Sequence, residues 1–287
     1  MTHCFFVSDL HGDIERYEKF FGAIRTQKPD MVFIGGDILP SQHTYLKTID
    51  ISHRDFVNDY LVANLNRLRD ILRDDYPRIF IILGNDDGRF EESTLLDVST
   101  QSIWEYAHNR KIQYNDWVVY GYSFIPPTPF HLKDWERYDV SRYVDPGCIP
   151  PEDGVHTTPV SENEVRYSTI KEDLKRLTDD DDLKNAIFLF HSPPYKTNLD
   201  RAGLDGVVVD HAPVDVHIGS IAIKQFIESK QPLLTLHGHV HESARLTGSW
   251  RDRIGRTHMF SAAHSGPELS LVKFELEDLE SAKRELI

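Results

Sequence analysis

Seven side chains in five short motifs carry the chemistry of this chain: Asp9-x-His11, Gly35-Gly36-Asp37, Gly84-Asn85-Asp86-Asp87, His191, and Gly238-His239-Val240-His241. Asp9, His11, Asp37, Asn85, His191, His239 and His241 offer two carboxylates, one carboxamide and four imidazoles, enough to hold two divalent ions side by side. A metal pair about 3.5–4 Å apart serves in-line displacement at phosphorus. Asp9 and His11 sit two residues apart, where an extended backbone aims both at one ion. Asp37 has two oxygens and can bridge two cations, and Asn85 adds a neutral carbonyl oxygen. Mixed nitrogen and oxygen donors suit Mn, Fe, Zn, Co or Ni rather than Ca or Mg. Each motif alone is ordinary; the five in order are not.

The motifs need rigid elements to aim them. Apolar runs at Cys4–Ser8, Asp30–Ile34, Arg78–Leu83, Ala186–Phe190 and Pro232–Leu236 each end at one of these motifs. Continuous runs of this length suit strands buried on both faces. The carboxyl ends of such strands are where open α/β sheets place their sites. Helical segments alternate with them at about 13–26, 52–74, 93–109, 165–178 and 219–229. Further strands are expected at Trp117–Tyr122, Thr257–Phe260 and Leu269–Phe274. The pattern predicts an α/β architecture with short ligand-bearing loops in one domain over 1–287. Asp179 to Asp182 reads as a solvated helix end or turn.

Residues 123–164 break this rhythm with seven prolines and the aromatics Trp135, Tyr138 and Tyr143. A loop this long without regular structure is usually functional or disordered. Its aromatic content points to order, either as a cap-like wall near the metals or as a packing loop on the surface.

In this order the motifs resemble those of the calcineurin-like metallophosphoesterase superfamily: Asp-x-His, Gly-Asp, Gly-Asn-His-(Asp/Glu), His and Gly-His-x-His. The resemblance runs from about residue 4 to 274. It is nearest to the Icc-like phosphoesterases, through His191-Ser192-Pro193-Pro194, His217-Ile218-Gly219-Ser220 and Gly238-His239-Val240-His241-Glu242-Ser243. It implies a four-layer α/β/β/α sandwich. It also implies one ion on Asp9, His11, Asp37 and His241 and another on Asp37, Asn85, His191 and His239. Pro40 stands where the purple acid branch has tyrosine. Ile38-Leu39-Pro40-Ser41 replaces the Asp-Arg-Gly run of protein Ser/Thr phosphatases.

The resemblance implies a metal-bridging hydroxide as nucleophile, because coordination brings a water's pKa from 15.7 toward about 7. Asp86 stands where much of the superfamily has a histidine that helps protonate the leaving oxygen. A positioned acid contributes typically 10²–10⁴-fold. Two adjacent cations should keep Asp86 ionised and a poor acid. The enzyme therefore favours good leaving groups or takes its proton elsewhere. His217, His264 and His131 are candidate donors, with His217 the best placed. Asp13, Asp87, Ser192 and Glu242 are candidates to orient the ligands, though each reads more readily as an ordinary turn or cap residue. His237 alternates with His239 and His241 and could share their face. His3, His43, His53, His108, His156, His211 and His258 read as surface or packing residues.

Acidic residues outnumber basic ones 46 to 32, giving a net charge of −14. Broad affinity for nucleic acid is therefore not expected, because backbone binding needs many Lys and Arg contacts. A small phosphorylated substrate fits, since two divalent cations outweigh the two ligand carboxylates. No apolar run reaches the roughly 20 residues of a membrane helix. The first residues lack a basic leader, and the two cysteines, Cys4 and Cys148, suggest no disulfide framework, so a cytoplasmic setting is expected. The reading is a binuclear-metal phosphodiesterase for a small phosphodiester. The alternatives are a phosphomonoesterase of the same fold, a scaffold without turnover and, less favoured, a nuclease. Oligomeric state is not legible.

Overall fold

The computed structural model describes residues 1–40 and 55–287. Its centre is a pair of six-stranded sheets. In the first, β1 (His3–Val7), β2 (Met31–Gly35), β3 (Arg78–Ile82) and β4 (Glu105–Tyr106) run parallel. In the second, β5 (Arg110–Tyr114) pairs antiparallel with β6 (Trp117–Tyr122), which is parallel to β7 (Ala186–Phe190). A small hairpin, β8 (Val208–Val209) with β9 (Ala212–Pro213), lies outside both sheets. Next to β7 come β10 (Leu234–His237), then β12 (Thr257–Ser261), with β11 (Arg251–Ile254) at the edge. The C-terminal β13 (Ser270–Glu275) and β14 (Asp278–Leu286) return to the first sheet beside β1.

The two-residue period of a strand decides the layers. Cys4 and Phe6 on β1, Met31 and Phe33 on β2, and Phe80 and Ile82 on β3 pack between the sheets against Ile187, Leu189, Leu234 and Leu236. Their neighbours Phe5, Val7, Val32, Ile34, Ile79 and Ile81 face outward and join the helices' core with Phe20, Ile24, Leu65 and Leu68. Phe188 likewise turns outward, its ring centroid 5.0 Å from that of Phe226. Strands apolar on both faces thus bury both, and the architecture is an α/β/β/α sandwich. Because β1, β2 and β3 are parallel in one sheet and β6, β7, β10 and β12 in the other, the strand exits gather along the carboxyl edges.

The helices depart from the expected ranges in three places. The helix expected at 93–109 stops at Ser99, because β3 recruits Glu105 and Tyr106 as a parallel edge strand. The segment at 165–178 is two helices, Glu162–Tyr167 and Ile170–Thr178. Thr169 caps the second through Glu172 N–H, at 3.2 Å, so the chain must extend between them. The helix expected at 52–74 starts in the described residues as a π-helix, Phe56–Val62, and narrows to an α-helix at Ala63–Leu72. Its first residues, with His43 and His53, lie outside the described residues. Helices Ile14–Gln27 and Ile221–Lys230 fall close to expectation. Strands β5, β11 and β14 are polar or alternating edge strands that carry no continuous apolar run.

Residues 123–161 carry a single short 3₁₀ turn, Pro151–Asp153, and are held mainly by buried polar groups. Lys133 and Glu136 form an ion pair with both side chains 0% exposed. Lys133 Nζ also donates to Thr128 O at 2.8 Å, and Glu136 accepts Thr128 N–H at 2.7 Å. Asp134 accepts Arg89 N–H at 2.7 Å and so ties the segment to the loop after β3. Asp139 accepts Ile221 N–H at 2.6 Å and Ala222 N–H at 3.1 Å, capping a helix more than 80 residues away. Trp135 is completely buried. Cys4 and Cys148 are free thiols. Among the described residues no helix is long and apolar enough to cross a membrane.

Candidate metal centre

The loops after β1 and β2 are laced together before any side chain is considered. Asp9 N–H donates to Gly36 O at 3.0 Å, His11 N–H to Asp37 O at 2.8 Å, and Gly12 N–H to Ile38 O at 3.1 Å. This lacing holds Asp9, His11 and Asp37 at φ 56°, 47° and 51°; His239 is at 71°. Left-handed backbone at residues other than glycine costs free energy and concentrates at functional sites. Buried Asp87 braces the next loop, accepting Gly84 N–H at 2.9 Å, Ile38 N–H at 3.0 Å and Leu39 N–H at 2.8 Å. Of the four residues considered as orienting groups, Asp87 joins the loops of Asp37 and Asn85 through three backbone N–H bonds. Asp13 caps a helix, Ser192 bonds its neighbour's carbonyl, and Glu242 takes Gly203 N–H.

Two groups of donors result. Atoms of Asp9, His11, Asp37 and His241 lie within 4.8 Å of one another, as do atoms of Asp37, His191 and His239. Asp37 belongs to both. In the first group His11 Nε2 and His241 Nε2 are 3.2 Å apart, and His241 Nε2 is 3.2 Å from Asp9 Oδ1. In the second, His191 Nε2 is 3.0 Å from Asn85 Oδ1 and 3.3 Å from Asp37 Oδ2. Donors bound to one ion at about 2.0–2.2 Å stand roughly 3.0–3.5 Å apart, so these spacings fit shared ions. Gly35 O accepts the Nδ1 proton of His191 at 2.8 Å, which leaves Nε2 as the nitrogen facing Asn85 and Asp37.

Glycine is required where these loops converge. A Cβ on Gly36 would stand 2.7 Å from His191 Nδ1, and one on Gly238 would stand 2.8 Å from Asp9 Oδ2.

Without metal, these groups hold one another's charge. Burial opposes ionisation of Asp9, but the hydrogen bond and charge of His241, then His191 and His11, keep its carboxyl well below the usual range. Asp37 is held at about 2 against burial, chiefly by His191. Burial likewise works against protonated His191 and His241, yet Asp37 raises the first to about 10 and Asp9 raises the second to about 9. Burial, then the charge of His191, pushes His239 down to about 3.

Asp86 sits at the rim of the first group. Its N–H donates to Asp37 Oδ1 at 2.8 Å, and its Oδ2 lies 3.6 Å from His11 Nδ1. Burial and then the charge of Asp37 push its carboxyl up to about 6 in the absence of metal. Its side chain is 41% exposed, so water screens part of that push, and bound cations would act in the opposite direction.

Among the described contacts, the other histidines touch none of the clustered donors. His237 is completely buried, between Ser192 O at 2.9 Å and Thr235 Oγ1 at 2.7 Å, and serves the strand rather than the ligand face. His264 pairs with Glu268 at 2.9 Å, and His131 is exposed on the 123–164 segment. His217 bonds to Asp200, a buried carboxylate that no motif had marked. A cavity of about 700 Å³ is lined by none of the clustered ligands, and its Arg137 and Arg176 are already paired with Asp173.

Known structures share this fold, and a known family shares its sequence pattern. No curated protein sequence matches the chain. The TT1561 protein of Thermus thermophilus shares the fold, with TM-score 0.54 and 17% identity over 99% of this chain and 98% of that one. Another solved structure gives TM-score 0.59 at 14% identity, over 99% and 98%. A dimetal phosphatase from Danio rerio is more distant, at TM-score 0.47 and 12% identity over 94% and 91%. The sequence pattern of the calcineurin-like phosphoesterases matches residues 3–243. With clusters that could hold its metals, the chain belongs to the calcineurin-like phosphoesterase family and is a metal-dependent phosphoric ester hydrolase.

Proposed function

We propose that this hydrolase acts on a small phosphodiester. One divalent ion would be held by Asp9, His11, Asp37 and His241, and a second by Asp37, Asn85, His191 and His239. The donor set fits such ions: its spacing suits first-row metals, its glycines leave room, and its imidazoles and carboxylates suit manganese and its neighbours. Bound there, the pair would supply Lewis acidity toward phosphoryl oxygens and a water that ionises near neutral pH. The protein's own part is positional. Gly35 fixes the His191 tautomer, Asp87 braces the loops of Asp37 and Asn85, and the backbone N–H of His239 holds Asp9 at 2.9 Å.

The observation that carries the diester reading is Asp86. A carboxylate 3.6 Å from His11 stands where an imidazole would supply a proton and a positive charge. A phosphomonoester enters as a dianion and a diester as a monoanion, so a rim carboxylate penalises the monoester more. The small substrate follows from the chain's net charge of −14, which opposes extended polyanions.

The test compares kcat/KM for an aryl phosphodiester and the matching monoester on manganese-loaded protein, with a chelated control. The diester should be preferred at least about tenfold, and Asp86→His should raise monoester turnover. Preference for the monoester by the unaltered protein, or no response to Asp86→His, would overturn the reading.

A further inference from the structure

If Asp86 is no proton donor, the leaving oxygen needs another, and the loop after His191 contains a histidine built for that role. Residues 192–220 leave the carboxyl end of β7 and are fastened to the turn that carries His239 and His241. Ser243 Oγ accepts Arg201 N–H at 3.1 Å and donates to Asn198 O at 2.7 Å, and Glu242 Oε1 accepts Gly203 N–H at 3.0 Å. Arg201 in turn forms an antiparallel bridge with His217. The backbone of His217 is thereby tied, through Arg201, to the turn that carries His239 and His241.

Its partner is unusual. Asp200 is 0% exposed and accepts N–H bonds from Lys196 at 2.8 Å, Thr197 at 3.0 Å and Gly219 at 3.3 Å. It takes a fourth from His217 Nδ1 at 2.8 Å. An ionised carboxylate only accepts, so the proton on this side of the imidazole is on Nδ1 and the outer nitrogen is Nε2. Asp215 holds the backbone N–H of His217 at 2.9 Å and the Tyr195 hydroxyl at 2.6 Å, and the Tyr195 ring meets the imidazole edge-on at 6.2 Å. The His217 side chain is nonetheless 26% exposed. A buried carboxylate that orients a partly exposed imidazole is an arrangement suited to a general acid.

We infer that His217, oriented by Asp200, is the acid that protonates the leaving oxygen. This rests on the phosphodiester reading. As the bond from phosphorus to the leaving oxygen breaks, its electron pair stays on that oxygen, which takes the Nε2 proton of the imidazolium. The Nδ1 proton of His217 stays in its hydrogen bond to Asp200 throughout. The attacking water gives oxygen to phosphorus and a proton to solvent, and neutral His217 recovers a proton from solvent, so the sum is hydrolysis.

The test is a series of aryl phosphodiesters running from p-nitrophenol to phenol as leaving group, on manganese-loaded protein. His217→Asn keeps a donor for Asp200 and removes the acid. It should lose little rate with p-nitrophenol and about 10²-fold or more with phenol. Asp200→Asn should steepen the same dependence to a smaller extent. A uniform loss across the series, or an unchanged slope in both variants, would show a purely structural role and overturn the inference. Absence of wild-type turnover of any diester would instead overturn the phosphodiester reading, and this inference with it.

Discussion

The two donor groups that share Asp37 differ in their access to water. His191 and Asn85 are 0% and 4% exposed beside a half-buried His239, whereas in the other group Asp9 is 1% exposed but His11 and His241 are 21% and 34% exposed. The buried group sits at the strand exits, its imidazole tied to Gly35 O and its loops braced by Asp87. The more open group faces the rim with Asp86 beside it. Charge interactions persist where water is excluded and fade where it enters. The buried half should therefore hold its ion tightly and rigidly, and the open half should exchange its ion and meet substrate.

Asp37 is the one side chain that both halves need, so its loss should erase the difference between them. Asn tolerates left-handed backbone, so Asp37→Asn removes the charge without new strain. Turnover should fall by at least about 10³-fold, on the view that metal pairing supplies several kcal/mol. Manganese stoichiometry by titration should fall below two per chain. Activity within tenfold of wild type would mean that the halves do not share this carboxylate.

His191→Ala and His241→Ala separate the halves. The buried change should cost about 10²-fold or more in turnover and lose its ion outright. The open change should cost less and be partly recovered at high manganese, where mass action refills the site. Equal losses, or recovery of the buried variant alone, would reverse the assignment of tight and exchangeable sites.

The strands and the candidate donors were legible in the sequence, but the contrast between the halves was not. The ligand types and their strand exits could be read because apolar runs buried on both faces have a plain signature. The burial of Phe6 between sheets and Phe5 beneath helices follows from a two-residue period. Short edge strands were not legible, since Glu105–Tyr106 becomes a strand only when β3 is there to pair with it. The partnership of Asp200 with His217 is a tertiary contact between residues 17 apart, and nothing local marks it. The left-handed backbone at Asp9, His11 and Asp37 accompanies the lacing of loops distant in sequence. Local propensity would have argued against it.

Proton linkage offers a smaller effect that still distinguishes the halves. His241, raised to about 9, and His191, raised to about 10, each hold a proton that a metal must displace. A histidine raised in the folded state contributes stability that is present in full below its unfolded pKa, near 6.5. That contribution is lost as pH rises through the folded value. Metal-free protein should thus lose Tm between about pH 6.5 and pH 10. Manganese affinity should rise over the same window, the open half first, because His241 gives up its proton at lower pH. A metal-free Tm that climbs across this window, or an affinity flat with pH, would contradict the charge arrangement described.

The smallest effect belongs to Asp86, and it decides whether this residue is a ligand or a neighbour. Its carboxylate is 41% exposed and 3.6 Å from His11 Nδ1, so the interaction is worth about 1 kcal/mol or less. Asp86→Asn keeps the backbone N–H that binds Asp37 and removes one negative charge from the rim. Manganese affinity of the open half should weaken by no more than about fivefold, with the buried half unchanged, as read by metal titration. A loss beyond tenfold would make Asp86 a direct metal ligand. The open half would then carry as many carboxylates as Asp9, Asp37 and Asp86 supply, and its weaker hold on metal would have no basis.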